Sequence, residues 1–264
     1  MPQTPKGALM DVLYTLTDGV AVATLNRPTV LNALNCTLRR ELQQAVARAG
    51  AEARVLVITG AGRGFSSGQD LTDVKSLCDV DLERTLRDEY EPLLLAIADC
   101  QVPTIAAVNG PAVGAGANLA LGCDVVIAAH SASFAQSFTK IGLVPDAGGT
   151  YALPRQIGLP RAMGAMLFAD TIPAQQAADW GMIYECVPDA EFAAHWQGRA
   201  AHLATGPATA YRGIKALLHQ SATATLPAQL AAEAAWQGHC GATADFTEGV
   251  MAFLQKRKAV FTGH

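Results

Sequence analysis

Three short runs in this chain, Arg54 to Thr59, Thr104 to Val108 and Asp124 to Ala128, are apolar almost throughout, with no alternation between inward and outward positions. A strand that reads this way is buried on both faces, which is the condition of a parallel sheet covered by helices on either side. The intervening sequence supplies those helices. Leu38, Leu42, Ala45 and Ala49 recur at helical spacing between Thr37 and Ala49, Leu82 to Ala98 reads as a second helix, and a third runs through Asn118 to Leu121. Ahead of them, Val12 to Leu16 and Val20 to Leu25 flank an Asp18-Gly19 pair, the signal of an antiparallel hairpin. After about residue 190 the strand pattern stops. Ala190 to Ala204, Pro207 to His219, Leu226 to Gln237 and Asp245 to Lys258 all read as helices with apolar stripes. The expected architecture is α/β, with a core over residues 1–190 and a C-terminal helical region over 191–264 that packs on the core or on a neighbouring subunit.

Half of the 264 residues are apolar and 16% are charged, enough to bury a large core and too apolar for a disordered chain. The net charge is −4 and the basic residues are scattered apart from Lys256-Arg257-Lys258, so no nucleic-acid-binding face is expected. No apolar run approaches the roughly 20 residues of a membrane span, and the opening MPQTPKGALM has neither a signal-peptide core nor an Arg-rich transit pattern. A cytoplasmic protein without a membrane partner is the expectation. The six cysteines are too far apart for a metal site and are expected to be reduced core thiols.

Two glycine-bearing segments, Gly60 to Leu71 and Asn109 to Asn118, each follow a buried strand and open toward a helix. Taken singly, either is an ordinary strand-to-helix turn. Neither has the pattern of a dinucleotide fingerprint or the Gly-Lys-Ser/Thr of a phosphate loop. Small residues there let backbone approach a ligand, and N–H groups from two such loops can together hold a developing oxyanion.

Taken together with their surroundings, these loops resemble the crotonase (enoyl-CoA hydratase/isomerase) family over nearly the whole chain. The matching strings are Leu25-Asn26-Arg27-Pro28 with Leu31-Asn32-Ala33-Leu34, Gly64 to Leu71, Ala107-Val108-Asn109-Gly110, Cys123-Asp124, Pro145 to Thr150, and Trp180-Gly181-Met182-Ile183. The resemblance implies a ββα spiral core, a C-terminal trimerisation region and an acyl-CoA thioester substrate, with a homotrimer or a dimer of trimers as the assembly. No separate cofactor or metal is implied, since coenzyme A arrives as part of the substrate. Carried over residue by residue, the two oxyanion N–H groups fall on Gln69 and Ala115.

Hydratases of this family carry two glutamates that position water, and the corresponding positions here are Asn118 and Phe138. Neither can accept a proton from water. The remaining acid beside the pocket is Asp146, which would otherwise pass for an N-cap of the helix beginning near Gly148. A single carboxylate suits a proton shuttle that takes a proton from one carbon and returns it to another, in a dry pocket with Phe138 and Leu143. Gly142 to Tyr151 and the ending Phe253 to Arg257 with Phe261-Thr262-Gly263 are most similar to isomerases of the phenylacetyl-CoA ring epoxide (oxepin-forming), which also shift a 3-enoyl double bond to the 2-position. Glu89 and Glu91 are alternative bases, more simply read as solvated helix carboxylates.

For coenzyme A, the resemblance implies contacts near Ser66, Gly68, Asp70 and Leu71, with Arg27 and Lys256 as phosphate partners and Phe253 beside the adenine. Asp70 also reads as a residue that fixes the first loop. The competing readings are a hydratase, a dehalogenase-like member in which the aspartate attacks the acyl ring, and a non-catalytic acyl-CoA-binding or RNA-binding member of the superfamily.

Overall fold

A computed structural model describes residues 10–72 and 81–263. The opening stretch up to residue 9, Cys78 and His264 lie outside the described residues. The chain begins with the expected hairpin, β1 (Val12–Thr17) and β2 (Val20–Leu25), closed by Asp18 at φ 50° and Gly19 at φ 79°. Positive φ at both turn residues is what a tight two-residue hairpin turn requires, and Asp-Gly supplies it at low steric cost.

From there the chain alternates helix and strand. α1 (Cys36–Glu52) is capped by Asn35, whose side-chain oxygen accepts from the Leu38 N–H at 2.7 Å, and leads into β3 (Val55–Gly60). α2 (Leu82–Thr85) runs through a π-turn (Leu86–Tyr90) directly into α3 (Glu91–Ala98), followed by β4 (Thr104–Val108). β5 (Ala112–Val113), α4 (Ala115–Leu121), β6 (Val125–Ala129) and β7 (Ser133–Ala135) come next. Then follow α5 (Gly149–Phe168), β8 (Thr171–Pro173), α6 (Ala174–Asp179) and β9 (Glu185–Val187). α7 (Asp189–Ala204), α8 (Ala208–Ser221), α9 (Leu226–Gly241) and α10 (Ala244–Leu254) complete the chain.

The main sheet has the order β1-β2-β3-β4-β6-β9, antiparallel at the hairpin and parallel beyond it. Val55 to Ile58 on β3 and all of β4 are buried, so the non-alternating runs are explained by cover on both faces. A three-stranded sheet, β5-β7-β8, stands apart from the first. Its strands are two or three residues long, too short to leave a periodicity in the sequence.

Two expectations are corrected here, and one helix shows an irregularity outside those expectations. The last helix ends at Leu254 rather than Lys258. Lys256 adopts φ 54°, its N–H reaches the Phe253 carbonyl, and the Arg257 N–H reaches Ala252, a Schellman closure formed without the usual glycine. The cysteines are not uniformly core thiols: Cys100 and Cys123 are buried, Cys186 and Cys240 half-buried, and Cys36 exposed. Gly158, at φ 76° and ψ 158° between Pro154 and Pro160, breaks the helical geometry inside α5.

No helix among the described residues is long and apolar enough to cross a membrane. α8, α9 and α10 leave Leu218, Leu226, Leu230, Phe246, Phe253 and Leu254 exposed, and α5 leaves Leu159, Leu167 and Phe168 so.

Candidate active site

The site forms where the first glycine loop meets the second. Asn32, wholly buried, ties the first loop down: its Nδ2 donates to the carbonyls of Gly64 at 2.8 Å and Ala61 at 3.0 Å, and its Oδ1 accepts from the Arg27 N–H. The two loops are joined by backbone bonds from Ser66 N–H to Pro111 and from Val113 N–H to Ser66. Gly68, at φ +88°, passes so close to the second loop that a Cβ would fall 2.7 Å from the Val113 oxygen and 3.5 Å from the Ala115 nitrogen. Only glycine allows both that backbone conformation and that approach.

Gln69 and Ala115 are therefore neighbours across the junction, each with an uncommitted N–H. Gly68 C=O accepts from Leu34 N–H at 2.8 Å and Asp70 N–H donates to Leu34 C=O, so the Gln69 N–H between them points away from Leu34. Ala115 is the first residue of α4, where no preceding turn supplies an acceptor. Among the described residues neither N–H donates to a protein group.

Asp146 precedes a tight turn in which Ala147 and Gly148 both have positive φ, at 48° and 78°. The expected alternative role as an N-cap is not realised, because Gly148 takes the cap position of α5 and no side chain bonds there. Instead the Asp146 carbonyl is held by Asn118 Nδ2 at 2.8 Å and the Gly149 N–H at 2.9 Å. Its carboxyl is half-buried, and Oδ1 is shielded from water with no hydrogen-bond partner. Burial lifts the pKa from 3.8 to about 6. The carboxyl is near enough to Tyr90 that its charge helps, behind burial, to raise the Tyr90 phenol.

The two positions that would hold carboxylates in a hydratase are occupied by framework. Asn118 is buried, bonded to Asp146 and to Gln136 Nε2 at 2.7 Å, and so close to Gly149 that a Cβ there would lie 2.3 Å from Nδ2. Phe138 is buried with its ring over Gly114, and Leu143 is half-buried beyond it.

A second group of polar residues lies behind Gln69. The Gln69 Oε1 accepts from Tyr90 Oη at 2.6 Å and from Arg39 at 2.9 Å, while Arg39 also pairs with Glu89 at 2.5 Å and donates to the Leu34 carbonyl. Glu89 is thus an ion-pair partner rather than a freely solvated carboxylate, whereas Glu91 is exposed. Arg39 and Tyr90 escape a reading from sequence because each is a lone polar or aromatic residue beside a helical stripe.

The residues expected around coenzyme A are only partly gathered. Ser66 is corrected to a supporting position: it is fully buried, and its hydroxyl donates to the Asn32 carbonyl and accepts from Gly68 N–H. Arg27 is bonded through Nη1 to Asp70 at 2.7 Å and to the Ala33 carbonyl, so part of its guanidinium is committed to the first loop. Burial works to raise the Asp70 pKa, but hydrogen bonds from Thr72 and Arg27 outweigh it and hold the carboxyl below its usual range. Asp70 fixes the loop, as expected, and Leu71 next to it is exposed. Phe253, exposed at the end of α10, lines a separate cavity of about 450 Å³ with Pro207, Phe246 and Phe261, and Lys256 lies just beyond. Among the described residues no cluster of His, Cys, Asp and Glu could hold a metal ion.

Residues 15–264 match the family described as enoyl-CoA hydratase/isomerase. A protein of Rhodobacter capsulatus named probable enoyl-CoA hydratase is 57% identical, over 96% of this chain and 98% of its own. The 1,2-epoxyphenylacetyl-CoA isomerase of Escherichia coli is 44% identical over the same shares. The crystal structure of an enoyl-CoA hydratase from Bacillus anthracis superposes with a TM-score of 0.89 at 31% identity, covering 96% of this chain and 100% of that one.

Proposed function

Given that the chain belongs to the enoyl-CoA hydratase/isomerase family, whose members act on acyl-CoA thioesters, we propose that it is an isomerase. It shifts the double bond of a 3-enoyl-CoA to the 2-position, rearranges the ring epoxide of phenylacetyl-CoA, or does both. The observation that carries this reading is the half-buried Asp146 carboxyl, with an unpartnered oxygen, beside a junction where both hydratase carboxylates are replaced by Asn118 and Phe138.

In the proposed reaction the thioester carbonyl accepts from the N–H groups of Gln69 and Ala115. The Asp146 carboxylate removes a proton from C2, and the negative charge moves onto the thioester oxygen as an enolate, where the two N–H groups stabilise it. Preorganised donors of this kind are each worth about 3 kcal/mol in the transition state. The carboxylic acid then returns the proton at C4, leaving a conjugated 2-enoyl thioester and the original carboxylate. A pKa near 6 lets one group both take and return a proton at neutral pH. No water enters the balance, in keeping with Phe138 where a water-binding acid would stand. The Rhodobacter capsulatus relative carries a hydratase name, and the isomerase reading here rests on the side chains of this site rather than on either relative.

We further propose that the exposed apolar side chains of α5 and α8 to α10 form the contact surface of a homotrimer.

The test is conversion of a 3-enoyl-CoA to the conjugated thioester, followed by absorbance. Asp146→Asn should lower it by about 10²- to 10⁴-fold, and a 2-enoyl-CoA should not be hydrated. Efficient hydration, or an Asp146→Asn protein that isomerises as well as its parent, overturns the reading.

A further inference from the structure

The carboxyl and the two N–H donors leave one group of buried polar residues unused. Arg39 and Tyr90 are 2% and 4% exposed, they meet on the same atom, Gln69 Oε1, and the Arg39 guanidinium sits 4.8 Å from the centre of the Tyr90 ring. Removing a guanidinium and a phenol from water is costly unless both are fully partnered. Here the cost is offset by bonds from Arg39 to Glu89, Leu34 and Gln69, and from Tyr90 to Gln69.

The backbone carries a second irregularity in the same place. The π-turn from Leu86 to Tyr90 is an extra-wide turn in which Glu91 N–H reaches back five residues to Leu86 C=O. Such a turn gives up regular α-helical bonding, is rare, and where it occurs is frequently found at functional sites. Its last two residues are Glu89, which pairs with Arg39, and Tyr90, which bonds Gln69. On the other side, the Gln69 main chain is pinned through Gly68 and Asp70 to Leu34, and the Leu34 carbonyl also accepts from Arg39. The bonds from Gly68 and Asp70 to Leu34 therefore leave the Gln69 N–H directed away from Leu34.

We propose that Tyr90 and Arg39 are positioning residues that act through the Gln69 side-chain oxygen to aim the Gln69 N–H at the thioester carbonyl. This rests on the oxyanion role assigned to Gln69 above. The peptide that carries the Gln69 N–H is held at its Gly68 end by the bond from Leu34 N–H to Gly68 C=O. The side-chain tether restrains the same residue from its other side, and misplacement on the ångström scale of such a group costs about 10- to 100-fold in rate.

The experiment uses Tyr90→Phe, which keeps the ring in the core and deletes only the hydroxyl, alone and combined with Gln69→Ala, which keeps the N–H. Two quantities are read in the full-length protein. One is kcat and KM for 3-enoyl-CoA isomerisation. The other is the absorption band of a bound aromatic 2-enoyl-CoA, which moves to longer wavelength as its carbonyl is polarised. The expected result for Tyr90→Phe is a kcat lower by about 10- to 100-fold, KM within about twofold, and a smaller band shift. In the Gln69→Ala background, Tyr90→Phe should cost nothing more. A band shift equal to the parent's, or losses that multiply in the double variant, overturns the proposal. A parent that shifts the band without isomerising the 3-enoyl-CoA sinks the isomerase reading while the band alone still decides the tether. A parent that does not shift the band removes the oxyanion role and the tether with it.

Discussion

The side-chain amide of Asn118 donates to the main-chain oxygen of Asp146 at 2.8 Å, so the residue that aligns with a hydratase acid holds the turn that carries the proposed acid. The same amide accepts from Gln136 through Oδ1, which fixes its orientation. Asn118→Asp keeps the shape and the bond from Gln136 but sets a carboxylate oxygen against the Asp146 carbonyl. We expect a loss of about 1–3 kcal/mol of stability from that buried, unmatched acceptor, read as a lower denaturant midpoint, together with reduced isomerisation. Hydratase activity should not appear, because the new acid faces a carbonyl instead of a water.

The rate profile should carry the signature of one raised carboxyl. Asp146 must be ionised to accept the first proton, and burial places its pKa at about 6. In the free protein kcat/KM should rise with pH up to that value and level off above it. A profile that is flat between pH 5 and 7 would count against Asp146 as the base.

Stability should move the opposite way with pH. A carboxyl raised from 3.8 to about 6 on folding binds its proton more tightly in the folded state, so the contribution is full below 3.8 and is lost as pH rises through about 6. Asp146→Asn has no proton to lose. Relative to the parent it should gain about 1–3 kcal/mol between pH 4 and pH 7, the half-burial of the group setting the lower bound. Thermal melts across that range check it, and a constant difference would show that the carboxyl is not stressed by burial.

Asp70 has the reverse sign. Its carboxyl is held below the usual 3.8 by Thr72 and Arg27 against the effect of burial, so its contribution is present above 3.8 and is lost as pH falls through the depressed value. Asp70→Asn should cost about 1–3 kcal/mol at neutral pH, with the gap to the parent closing in acid below about pH 4. Loosening of the loop should also weaken acyl-CoA binding, measurable by calorimetry.

Much of this arrangement is legible in the order of the residues. Leu56 to Ile58 mark a strand covered on both sides because nothing polar interrupts them, and Asp18-Gly19 marks the hairpin because few other pairs tolerate its dihedral angles. Asp146 stands out only through the likeness to a family, which sets the hydratase acids at the positions of Asn118 and Phe138 and leaves Asp146 as the acid beside the pocket. What stays hidden depends on contacts between distant segments. The bond from Tyr90 to Gln69 spans 21 residues and that from Arg39 to Gln69 spans 30, and no local pattern encodes either. The likeness to a family suggests a phosphate for Arg27, but the partner it has is Asp70, 43 residues away. Lys256 ends its helix in a conformation normally signalled by glycine, so the stop there has no local marker.

The small sheet, the glycine junction and the turn before α5 draw Asn32, Gln69, Ala115 and Asp146 together from four separate passes of the chain. Closing such long loops is slow, because their entropy is lost before the contacts that reward it are made. No fragment of this chain ahead of residue 146 can contain both the acid and the two donors. During synthesis the proposed donors at Gln69 and Ala115 therefore emerge before the proposed acid, Asp146, and a chain that stops short of it lacks the proposed site.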